Sequence, residues 1–200
     1  LLWFGIMIFT VVVLYRKIMT PLWVAGLAAF LYAIDDAHGV PAGWLANRNA
    51  LIAAVFGFMT LIIHDRWRRD GWKTGIVIGP VCLLLGLFSA EAAIATGAYL
   101  LAYELFLVRG GLRRKITGLF PYAVVTISWW MTYHRAGFGT KGAGGYFDPG
   151  QEPFLFLRAL IERIPILLFG QWFFPDAGIY GILSKPLAAV MWSGAVLLLA

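Results

Sequence analysis

The feature that most constrains this chain is the succession of apolar runs of roughly 15–20 residues, each closed by a short charged or Gly/Pro-containing break. The runs lack period-two alternation, so strands and a membrane β-barrel are poor fits, and helices of membrane-crossing dimension are the expectation. Composition points the same way. The 200 residues are 61% hydrophobic and 13% charged, too many apolar and too few charged groups to coat a water-soluble globule. Mean hydropathy is +0.81.

The fold class expected is therefore all-α, a polytopic transmembrane helical bundle of about 7–8 spans, forming a single integral membrane domain over residues 1–200. The first span covers Leu1 to Tyr15 and the second Ile18 to Ile34, with Pro21 in its first turn, where a missing N–H costs little. The third covers Ala50 to Ile63, followed by a basic loop from Asp65 to Lys73. Residues 74–108 hold two short spans with a break at Ser89-Ala90-Glu91, and the sixth span covers Ile116 to Thr132. Residues 154–174 either cross or lie along the interface, because Arg158, Glu162 and Arg163 make their first half amphipathic; a last span begins at Leu187. The chain opens without Met and closes inside an apolar run, so it reads as an internal fragment truncated at both ends.

Charge sets the sidedness. Ten basic residues, from Arg16 to Lys115, fall in alternate loops, against five in the intervening loops as far as Arg163, which assigns the first set to the cytoplasm. A bacterial-type cytoplasmic (inner) membrane is the expected location. The net charge of +6 is explained by orientation, since the basic residues recur in short loops and form no soluble nucleic-acid-binding face. One cysteine, Cys82, sits in an apolar run and allows no disulfide framework.

Chemistry-bearing residues concentrate on the opposite side. Between Asp35 and Asn49 lie Asp35, Asp36, His38, Trp44, Asn47 and Arg48. Arg48 suits a phosphate, Trp44 an apolar sugar or lipid face, and the carboxylates and His38 suit proton transfer. The plain alternative is that the Asp pair ends a span in water, Trp44 anchors at the interface and Arg48 snorkels. Glu91 is a further candidate for proton transfer, with helix-terminal stabilisation beside a capping Ser89 as its structural counterpart. Glu104 is expected to pair with Arg109, and His64 to be structural. The glycine-rich segment 137–150 lacks the order of a phosphate loop and reads as an outer loop, with Tyr146 and Phe147 as substrate-contacting or lid residues. No spacing typical of a metal site occurs, so no cofactor is assigned; the acidic pair leaves room for a divalent cation without specifying one.

The order of these elements resembles the membrane domain of C-type glycosyltransferases, and within them the protein O-mannosyltransferase-like group that includes tetratricopeptide-bearing transmembrane mannosyltransferases. That group carries a loop of the form His-Pro-x-His-x-Glu-x-x-x-Trp-x-x-x-Arg-x-Asp before a helix, and a Ser-Lys-Glu element one hairpin later. His38, Trp44, Arg48, Ser89 and Glu91 match it; Asp35-Asp36, Val40, Ala50 and Ala90 depart from it. The resemblance covers roughly residues 1–115. It implies transfer of a sugar from a polyprenyl-phosphate donor, held in contact with membrane lipid, to an acceptor of unspecified identity at the non-cytoplasmic face. It also implies that the principal base lies in a first outer loop upstream of Leu1. A transporter or lipid flippase is the alternative, although no internal repeat supports it; a non-catalytic scaffold would tolerate substitution of the outer loop.

Overall fold

The computed structural model describes residues 1–139, 147, 152–172 and 177–199. Among these the regular structure is helical throughout: α1 (Leu2–Ile18), α2 (Leu22–Ala33), α3 (Gly39–Gly43), α4 (Arg48–Asp70), α5 (Gly75–Ser89), α6 (Thr96–Phe106), α7 (Leu112–Arg135), α8 (Pro153–Trp172) and α9 (Lys185–Leu199), with short 3-10 turns between some of them. The chain groups into two compact units, Leu1–Gly137 and Phe138–Ala200.

One helical stretch among the described residues, the 26-residue Leu45–Asp70, is long and apolar enough to cross a membrane. Shorter apolar helices are Leu22–Ala33, Gly75–Ser89 and Lys185–Leu198. The expected 7–8 spans are not shown, because most apolar helices among the described residues are shorter than the length a crossing needs. α2 has only 12 residues and gives way to the 3-10 turn Asp36–His38, and at 1.5 Å per residue it extends about 18 Å. α5 stops at Ser89, Ala90 is extended, and Glu91–Ala95 forms a 3-10 turn before α6.

Helix ends elsewhere follow local chemistry. α4 continues through Asp65–Asp70, which the sequence reading treats as loop; nothing before Gly71 breaks the helix, and Gly71, at φ 71°, takes the left-handed terminating position. α7 likewise starts at Leu112, so Arg113, Arg114 and Lys115 occupy its first turn. Pro21 is the residue before α2, with its missing N–H outside the helix.

Within the first unit α4 is the hub, packed against α1, α5 and α6. Its seam with α5 and α7 holds Ala53, Leu83, Leu87, Tyr122 and Trp129, and its seam with α1 holds Met7, Leu51 and Val55. Backbones approach closely where side chains vanish. Gly86 rests against Ala93, Phe56 and the Ala53 carbonyl, and Gly79 lies directly beneath the Tyr122 phenol. Large apolar side chains also point outward: Trp23 is 69% exposed, Phe120 64% and Phe88 70%. In water such faces would be left uncovered.

Candidate functional site

Two polar assemblies occupy opposite ends of the first unit. At one end the link from α2 to α4 is built from local turns. Asp35 Oδ1 accepts from the Ala37 N–H at 2.9 Å, which fixes the turn that opens Asp36–His38. His38 Nε2 lies 2.8 Å from the Tyr32 carbonyl oxygen. A carbonyl only accepts, so Nε2–H donates and a neutral ring presents Nδ1 as its acceptor. The ring is further held by Tyr32 and Phe4, with centroids 4.6 and 5.8 Å away. Trp44 is 63% exposed, Asn47 half-buried, and Arg48 opens α4 with an exposed side chain.

Glu91 begins the 3-10 turn after α5 and accepts a hydrogen bond from the Tyr133 hydroxyl of α7. Tyr133 is stacked on Trp129, one helical turn earlier, at 4.9 Å. Ser89 does not cap this turn: its hydroxyl donates back to the Leu85 carbonyl within α5, and the cap position falls to Ala90. The alternative in which Ser89 caps the turn therefore does not hold; Ala90, in extended conformation, moves the chain out of α5 before Glu91.

The two elements share an end of α4. The 3-10 turn packs on α4, with Ala93 in the same cluster as Ala53, and Arg48 precedes Ala53 by five residues. That is about 7.5 Å of helix rise. The described residues show no hydrogen bond or ion pair joining the Asp35–Arg48 segment to Glu91. Tyr146 lies outside the described residues, and Phe147 belongs to the second unit, where the Arg163 guanidinium sits over its ring at 5.7 Å.

At the other end is a cluster whose members the sequence reading took as structural but whose partners it did not find. Glu104, fully buried on α6, pairs with Arg68 and His64 of α4 rather than with Arg109. Arg68 approaches both carboxylate oxygens, with Nε 2.6 Å from Oε1 and a terminal nitrogen 3.0 Å from Oε2. His64 Nε2 is 3.0 Å from Glu104 Oε1, and its Nδ1 is 3.3 Å from the Tyr122 hydroxyl of α7. One position along, the buried Asp65 contacts Arg69 at 2.7 Å, Lys17 of α1 at 3.6 Å and the Tyr103 hydroxyl of α6 at 2.8 Å. Arg69 also donates to the Lys17 carbonyl, and Arg68 to the Arg114 carbonyl. α1, α4, α6 and α7 are thus tied together where the basic segments meet. The available signal was the spacing of His64 with Arg68 and of Asp65 with Arg69, four apart and so on adjoining faces once α4 is known to continue.

Among the described residues no group of three or more His, Cys, Asp and Glu side chains is arranged to hold a metal ion. No family model matches the chain, and neither a curated protein nor a solved structure matches it.

Proposed function

We propose that this chain is the multi-pass membrane part of a C-type glycosyltransferase, moving a sugar from a polyprenyl-phosphate donor to an acceptor at the face away from the basic segments. The observation that carries the reading is the packing of the Glu91–Ala95 turn on α4, which puts Glu91 and Arg48 at one end of the same helix although 43 residues separate them in sequence. The outward apolar side chains support burial in lipid for the shorter helices as well, and the meeting of Lys17, Arg68, Arg69 and Arg114 at the other end supports a cytoplasmic orientation for it, in a bacterial-type inner membrane.

In this reading Arg48 faces the donor phosphate, and the exposed Trp44 covers the sugar or the first lipid units. The acceptor hydroxyl attacks the anomeric carbon, the bond to the phosphate oxygen breaks, and the hydroxyl proton passes to a carboxylate or imidazole. Glu91, oriented by Tyr133, and His38, through Nδ1, are the groups held in place for that transfer.

Arg48→Ala and Glu91→Gln, made separately in the full-length protein, should each lower transfer from a polyprenyl-phosphate sugar at least about tenfold, the loss of one charge-assisted contact. Unchanged turnover in both variants, with normal membrane levels, would remove the assignment.

A further inference from the structure

At the basic end, α4, α6, the link after α6 and α7 surround a cleft of about 330 Å³. Its polar side is made by four guanidinium-bearing residues, Arg68, Arg69, Arg109 and Arg114, and its apolar side includes Ile18 and Leu107. No carboxylate is among its lining residues. Arg68 and Arg69 are each paired with a buried carboxylate, so the uncompensated positive charge on this concavity comes from Arg109 and Arg114.

The arrangement is built rather than incidental. Arg68 and Arg69 are held from behind by the buried Glu104 and Asp65, which orient the two cations without lining the cleft themselves. Tyr103, also on the wall, is fixed by its hydrogen bond to Asp65. Lys17 joins Asp65 from α1, so five cations stand against two carboxylates and a positive excess remains. Arg114 donates to the Arg109 carbonyl at 3.4 Å, bringing the front of the cleft together, and the Arg109 guanidinium has no acidic partner among the described residues. α7 begins at Leu112, between these two arginines, and the positive end of its dipole adds to the same field.

We infer that this cleft binds a phosphate group, separately from any chemistry at the Arg48 end. Guanidinium groups match phosphate oxygens in pairs, and the apolar wall suits the glycerol and first acyl carbons of a phospholipid. The shared chemistry is a phosphate mono- or diester, supplied either by an anionic lipid headgroup or by a soluble phosphate compound.

The test uses the full-length protein purified in a neutral detergent, followed by thermal unfolding and by native mass spectrometry. Phosphatidylglycerol should raise the melting temperature and be retained, whereas phosphatidylcholine at the same concentration should not. Arg109→Gln, Arg114→Gln and their combination should each weaken the response, the double variant by roughly tenfold or more in apparent affinity. Arg113→Gln, on α7 but outside the cleft, should leave it intact. Competition by inorganic phosphate identifies a soluble phosphate as the ligand; stabilisation by phosphatidylglycerol that phosphate does not displace identifies the lipid headgroup. The inference is overturned if neither probe binds, or if Arg113→Gln weakens binding as much as Arg109→Gln, which would reduce the effect to diffuse surface charge.

Discussion

Glu104→Ala is expected to destabilise the first unit by about 3–5 kcal/mol, the cost of stripping a buried ion pair of one partner. Glu104 is fully buried, and the Arg68 side chain beside it is only 10% exposed, so the charge left behind is poorly solvated. Arg68 would be left with the Arg114 carbonyl, and His64 with the Tyr122 hydroxyl. Denaturant titration of the detergent-solubilised protein, read by circular dichroism, measures the loss. Combining Glu104→Leu with Arg68→Met should recover at least half of it, because removing both charges also removes the desolvation penalty. If Glu104→Ala unfolds at the wild-type midpoint, the pair does not hold α4 and α6 together.

The second large effect is expected at the seam between α5 and α7. Gly79→Val should cost about 3 kcal/mol, the upper part of the range for overpacking a filled core. A Cβ at this position would overlap the Tyr122 hydroxyl and crowd the ring behind it. Tyr122 is 3% exposed and is held by core neighbours and by His64, so it has no open direction in which to swing. Gly79→Ala should cost less, and Tyr122→Phe in the same chain should recover part of that cost, because it removes the nearest overlapping atom. A Gly79→Val chain as stable as wild type would mean that the seam opens freely. The same titration distinguishes these outcomes.

Several features of this architecture were legible in the chain. The helical class follows from apolar runs without alternation, and the break near Ser89-Ala90-Glu91 falls where it was expected. The alternation of basic segments also has a physical counterpart, since Lys17, Arg68, Arg69 and Arg114 meet at one end. Helix limits were less accessible. Asp65 to Asp70 is polar enough to read as loop, yet lies within α4, because polarity alone does not end a helix and Gly71 does.

The candidate site divides along the same line. His38, Trp44, Arg48 and Glu91 stand out by residue type and order, because charged and polar groups interrupting apolar sequence are visible without coordinates. Tyr133 as the partner of Glu91, and the His64–Glu104–Arg68 and Asp65 clusters, depend on residues 36 to 58 positions apart and on how helices pack. By itself, the sequence determined that this chain makes apolar helices with one strongly basic set of ends, since hydrophobicity and charge are properties of local composition. Only the tertiary structure decided that Glu104 answers Arg68 instead of Arg109 and that arginines from α4, α7 and the link before it enclose one cleft. A buried charge must take the partner that helix packing brings within reach, and the distance along the chain does not specify which one that is.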